Sequence, residues 1–266
     1  MNERNAHKSR RIPAALEILQ VEYRRTVAER DAFDAFAEAV SALNPAPTTD
    51  ISTRTAPPAV GTKRSDGFGG FYGTDTGQLR QAYRESVMDF SHYEEEYDES
   101  LAVNMQAEFG SDLAAAVISD STVTPRLQRA VVAAATEARE EREEFVTTLD
   151  AEQSALKTAQ RTLSEIHEML TPILNRRWYR ESFDEAYTAY QRLEQEQSRC
   201  RDLLQDRQTQ RQTGHAGLRS ESVPDLQSYL YYELNSTYPV LSDTLQLYDD
   251  LCLAHRRIER WLARDD

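Results

Sequence analysis

"TPRLQRAVVAAATEAREEREEFVTTLDAEQSALKTAQRTLSEIHEMLTPI" (Thr124–Ile173) is the stretch on which the fold turns. Thr124 supplies a capping oxygen, and Pro125 has the backbone angle that the first helical position needs. Val131, Ala135, Ala138, Arg142, Phe145, Leu149, Glu152, Leu156, Ala159, Leu163, Ile166, Leu170 and Ile173 then follow at alternating steps of four and three. That rhythm holds the positions on one helical face and, sustained this long, is the rhythm of coiled-coil packing. Eleven of those 13 positions are apolar, the exceptions being Arg142 and Glu152. We expect Phe145, Leu149, Leu156, Leu163 and Ile166 to form the main packing and interaction seam. Thr171-Pro172 repeats the opening signal and predicts a kink or a new helix there. A helix of about 45 residues would reach about 68 Å at 1.5 Å per residue, which favours an elongated bundle over a sphere.

On either side of this stretch the same period recurs. Leu16, Leu19, Tyr23, Val27, Phe33, Phe36, Val40 and Leu43 predict a first helix over about 13–43. Asn44–Gly77 gathers prolines and glycines with almost no periodicity and reads as a linker or long loop. Leu79, Tyr83, Val87, Phe90, Tyr93, Tyr97, Leu101, Met105 and Phe109 predict a second helix over about 76–109, closed by Gly110 and followed by a short helix capped at Ser111. Beyond Pro172, Phe183, Ala186, Tyr190, Leu193, Cys200 and Leu204 continue an apolar stripe. Pro224 opens another helix, and Leu241, Leu245, Tyr248, Leu251, His255, Ile258 and Leu262 mark the last. The fold class expected is all-α: an elongated helical bundle with long coiled-coil-like helices and no β-sheet. Its organisation is an N-terminal helix (1–43), a Pro/Gly/Thr-rich linker (44–77) and a helical bundle with a coiled-coil-like hairpin (78–266).

Composition narrows the setting. The formal charge of −14 argues against a general nucleic-acid binder, which draws on clustered basic residues. Three lysines stand against 28 arginines. Abundant carboxylates with so little lysine fit a salt-adapted chain, and a GC-rich genome would also favour arginine. Cys200 and Cys252 are too few for a disulfide framework and suit a reducing cytoplasm. No secretory core and no apolar run of membrane-spanning length is present, so we expect a cytoplasmic protein without a membrane partner.

Several constellations invite a chemical reading. In "HYEEEYDES" (His92–Ser100), Tyr93 and Tyr97 belong to the apolar stripe, whereas His92, Glu95, Glu96 and Glu99 share one helical flank. Such a flank could hold a cation, but a di-iron carboxylate bundle needs Glu-x-x-His pairs, and the nearest match is Asp89-x-x-His92. We read it as a solvated acidic flank. Cys252, His255 and Glu259 share another flank, short of the four ligands of a structural zinc site. His167, between Glu165 and Glu168, has no nucleophile beside it in sequence. "GFGGFYG" (Gly67–Gly73) lacks the Gly-Lys-Ser/Thr ending of a phosphate loop. The arginine clusters "NRRWYR" (Asn175–Arg180) and "HRRIERWLAR" (His255–Arg264) could contact phosphate or an acidic partner, and the second also complements a helix C-terminus. No catalytic, cofactor-binding or metal-binding residue is assigned, and no cofactor or small-molecule substrate is implied.

The blocks "AYRESVMDFSHYEEEYDESLAVNMQAEFG" (Ala82–Gly110), "TPRLQRAVVAAATEAREERE" (Thr124–Glu143) and "YLYYELNSTYPVLSDTL" (Tyr229–Leu245) resemble an uncharacterised haloarchaeal family of helical, coiled-coil-rich proteins with a domain of unknown function. The resemblance implies an archaeal, high-salt cytoplasm and carries over no site residue. We expect an interaction or scaffold protein that packs helix faces against itself or a protein partner. The alternatives are a carboxylate-rich, metal-dependent helical enzyme, and a regulator that contacts nucleic acid or transcription components.

Overall fold

The computed structural model describes residues 11–46, 74–89, 100–119, 121–214 and 226–263. Among them are α1 (Arg11–Ser41), α2 (Thr76–Ser86), α3 (Leu101–Phe109), α4 (Ser111–Ser119), α5 (Pro125–Asn175), α6 (Phe183–Gly214), α7 (Leu226–Leu230) and α8 (Pro239–Leu262), with a 3-10 turn at Trp178–Arg180. No strand occurs among the described residues, so the all-α class holds. The chain divides into two compact units, Met1–Tyr23 with Thr148–Asp266, and Arg24–Thr147. Each unit takes part of α1 and part of α5.

In the unit Arg24–Thr147, α1 and α5 run antiparallel. Arg30 Nη1 meets Glu143 at 2.9 Å and Arg139 Nε meets Asp34 at 3.7 Å, while the Gln128 side chain donates to the Val40 and Leu43 carbonyls at 2.9 and 2.8 Å. Gln128 thereby ties down the end of α1, where the Val40 carbonyl also accepts from Leu43 N at 3.2 Å. Phe33 and Phe36 of α1, Tyr83 of α2 and Phe109 of α3 form an aromatic cluster with ring centroids 5.0 to 6.2 Å apart. The phenol of Tyr83, fully buried, donates to Asn104 Oδ1 at 2.6 Å, so its polar end is satisfied inside the core. Burying a ring or leucine of this kind stabilises the fold by about 1.5–3 kcal/mol.

Two sequence expectations are corrected here. The predicted continuous helix over 76–109 is instead α2 and α3. α2 starts with the Asp75 carboxylate accepting from Gly77 N at 3.0 Å and ends at Ser86. α3 starts afresh at Ser100, whose extended backbone (ψ 149°) and hydroxyl, accepting from Val103 N at 3.4 Å, are those of an N-cap. At the other end of α3, Gly110 takes φ 81°, a left-handed value suited to glycine, and α4 follows directly. The second correction concerns Pro172, which lies inside α5 rather than opening a new helix. It forfeits one backbone bond, and the helix ends at Asn175, so little helix remains to be disturbed.

In the other unit, the C-terminal part of α5 and α6 form an antiparallel hairpin across the 3-10 turn. Arg199 reaches Glu165 at 2.7 Å and Arg207 reaches Glu152 at 2.5 Å, one pair nearer the turn than the other. α6 is started by a capping box: Ser182 N donates to Glu185 Oε2 at 3.0 Å and Glu185 N donates back to Ser182 Oγ at 3.3 Å. The Ser182 backbone N–H and its hydroxyl, both donating to Glu185 Oε2 at 3.0 Å, hold the Glu185 carboxyl below its ordinary pKa. α8 opens on Pro239 and packs along α6, burying Leu247, Leu251, Ala254 and Ile258. The start of α1 is tied to α8 by Asp243, which accepts from Arg11 Nη1 at 2.9 Å and from Ile12 N at 3.2 Å.

Candidate functional site

The seam named from the sequence lies inside the fold. Leu149, Leu156, Leu163 and Ile166 are buried, and Phe145 is half-buried. A face covered by the chain's own helices is committed to folding.

The two polar positions of the seam each anchor an ionic node. Arg142, in the unit Arg24–Thr147, donates through Nη2 to Glu108 at 2.8 Å and through Nε to Glu29 at 3.3 Å, with its guanidinium 4.9 Å from the centroid of the Phe33 ring. Burial opposes its charge, but Glu108 and Glu29 outweigh that and raise its pKa above the ordinary arginine value. Glu152, in the other unit, is more deeply enclosed. Its Oε1 accepts from Arg207 Nη2 at 2.5 Å and from the phenol of Tyr231 at 2.9 Å. The side-chain carbonyl of Gln227, in the orientation its neighbours require, accepts from Arg207 Nη2 and, at 3.1 Å, from Nε. Burial and the Glu152 carboxylate push the Tyr231 phenol well above its usual value. These nodes join α5 to α1, α3 and α6, and to Tyr231 just after α7.

The two arginine clusters meet at one end of their unit. Arg257 of α8 donates to the Leu174 and Arg176 carbonyls at 3.1 and 3.3 Å, capping the end of α5, and α8 also packs on the 3-10 turn. Arg176, Arg177 and Arg180 are exposed there, as are Arg256, Arg257 and Arg260. Tyr179 is 67% exposed beside Arg180, whose guanidinium lies 5.5 Å from its ring centroid. From the start of α6, the rings of Phe183, Tyr187 and Tyr190 follow one another in stacked geometry, 6.1 and 6.4 Å apart, and Tyr190 lies 4.1 Å from the His255 ring. Phe183 and Tyr187 are about half exposed. Their spacing along α6 was visible in the sequence, but nothing local there paired them with α8.

The remaining candidates have simpler environments. His255 Nε2 is 4.0 Å from Glu194 Oε1, beyond hydrogen-bond reach, and has no hydrogen-bond partner among the described residues. Cys200 is buried and Cys252 half-buried, and both are free thiols. Burial, with Glu196 nearby, pushes the Cys200 thiol up to about 11. His167 is exposed on α5. Among the described residues no group of three or more His, Cys, Asp and Glu side chains is arranged to hold a metal ion. His92, Glu95, Glu96 and Glu99, and the Gly67–Gly73 segment, lie outside the described residues. No helix among the described residues is long and apolar enough to cross a membrane.

No curated protein and no solved structure matches this chain. Residues 10–255 do match a family, described as a domain of unknown function (DUF7260), and that match reaches into both units and takes in both ionic nodes. The chain belongs to the DUF7260 family.

Proposed function

We propose that this chain is an interaction or scaffold protein that works in a high-salt archaeal cytoplasm and binds protein partners, or further copies of itself, through helix faces. The observation that carries the reading is the second face of α8. This helix buries Leu247, Leu251, Ala254 and Ile258, yet leaves Leu245 and Leu253 52% and 60% exposed. The two are eight residues apart and so lie on one side of the helix. Exposed leucines on the side turned away from an already buried stripe are what a helix offers to another helix. The scarcity of lysine and the net charge of −14 support the high-salt setting.

The test is light scattering, with mass spectrometry of co-purifying proteins, on the full chain recovered from its host in molar KCl. The expected result is a defined assembly that Leu245→Asp with Leu253→Asp dissolves while helicity is retained. A monomer that brings down no partner overturns the reading.

A further inference from the structure

We propose that the arginine and aromatic end of the unit Met1–Tyr23 with Thr148–Asp266 docks an acidic, tyrosine-bearing segment of a partner protein. This deepens the interaction reading above and rests on it. Three observations meet at this end. Arg257 brings together two arginine clusters far apart in the chain by capping α5 from α8. Arg177, Arg180 and Arg260 remain exposed beside that contact. Phe183 and Tyr187 present half-exposed rings next to the turn that carries the first cluster.

The charge of this end is opposite to that of the chain as a whole, which carries −14. A guanidinium offers a planar fork that holds a carboxylate through two parallel hydrogen bonds, and it also stacks on aromatic rings. In molar salt the screening length falls to about 3 Å, so attraction at a distance is lost and contact chemistry of this kind decides who binds.

Two features favour a protein segment over a nucleic acid. Glu181, Asp184, Glu185 and Glu259 are interspersed with the arginines in the same segments, which breaks any continuous basic track for a phosphodiester backbone. A nucleobase binds an aromatic platform through a free ring face. Tyr187 instead lies parallel between Phe183 and Tyr190, and Tyr190 is tilted by 35° against the His255 ring. The exposed arginines beside these rings offer forks for carboxylates and planar faces for side-chain rings.

The test uses the full chain in molar KCl and a fluorescein-labelled peptide of repeated Glu-Glu-Tyr, followed by anisotropy, with oligouridylate as competitor. The expected result is saturable peptide binding that oligouridylate does not displace. Arg177→Ala, Arg180→Ala and Arg260→Ala together should lower affinity by about ten-fold or more, since paired charge-assisted bonds are lost. The triple Arg→Lys variant should also bind more weakly, because lysine lacks the fork. Arg126→Ala, an exposed arginine of the other unit, should bind like the parent.

Absence of saturable binding overturns the proposal, as does undiminished binding by the triple alanine variant. Displacement by oligouridylate overturns it in favour of nucleic acid. If the peptide fails to bind while the Leu245 and Leu253 face still holds an assembly, the docking proposal falls and the interaction reading stands. Failure of both tests removes both.

Discussion

Arg142 and Glu152 interrupt the same seam of α5 but are housed differently. Arg142 serves the unit Arg24–Thr147 and faces two carboxylates, with side-chain exposures of 19% for itself, 15% for Glu29 and 16% for Glu108. Water still reaches that node. Glu152 serves the other unit and is closed in, with exposures of 6% for itself and 7% for Arg207. The lesson is that identical interruptions of a packing stripe differ in energetic consequence according to how far their charges are cut off from solvent. Loss of one partner from a sealed pair strands the other charge, whereas a partly wet cluster can relax onto water.

The contrast is sharpest for Glu152→Leu. It leaves the Arg207 guanidinium buried without its counter-charge, and we expect a loss of about 3–5 kcal/mol in urea unfolding at constant KCl. Adding Arg207→Leu should restore most of it, because a well-packed apolar pair removes the stranded charge. A double variant as unstable as the single one would break the account. Arg142→Met should cost less, about 1–3 kcal/mol, since Glu29 and Glu108 keep some hydration. An Arg142 variant as damaging as Glu152→Leu would erase the difference between the nodes.

Tyr231→Phe probes the Glu152 node more gently and should cost about 1 kcal/mol at neutral pH. Its pH dependence has a definite sign. The folded state raises the phenol above its ordinary value of 10.0. Above about pH 10 the unfolded chain therefore releases a proton that the folded chain keeps. The stability tied to this group is full below that pH and falls as pH rises, and Tyr231→Phe should flatten the alkaline limb of the unfolding midpoint against pH. The smallest effect belongs to Arg30→Ala, which removes the exposed pair with Glu143. We expect less than about 1 kcal/mol, fading further in molar salt.

Much of this was legible in the sequence, and what was not has a physical cause. The alternation of four and three along α5 marked Leu149, Leu156, Leu163 and Ile166, and these positions are buried. It also isolated Arg142 and Glu152 as exceptions, but their partners come from elsewhere. Glu108 and Glu29 are 34 and 113 residues from Arg142, and Arg207 and Tyr231 are 55 and 79 residues from Glu152. Periodicity describes one helix at a time and carries no information on which neighbour supplies a counter-charge. The break between α2 and α3 escaped for a related reason: the apolar stripe keeps its spacing across both, and the end of α2 at Val87 and the capping chemistry of Ser100 leave no mark in that spacing. The two arginine clusters were each visible, whereas their meeting depends on α8 returning along α6.

Asn44 and Thr74 are bonded backbone to backbone, Thr74 N donating to Asn44 O at 3.0 Å, and Val123 joins them by donating to Thr74 O at 2.8 Å while accepting from Ala46 N at 2.9 Å. The fold thus brings Asn44–Ala46 and Thr74 to neighbouring points. Closing a flexible insert between two such points costs only about 0.6 kcal/mol more each time its length doubles. For a protein engineer this is a port: a fluorescent domain, or an affinity handle for the partner searches above, can be spliced in there, its two ends delivered to neighbouring points by the fold itself.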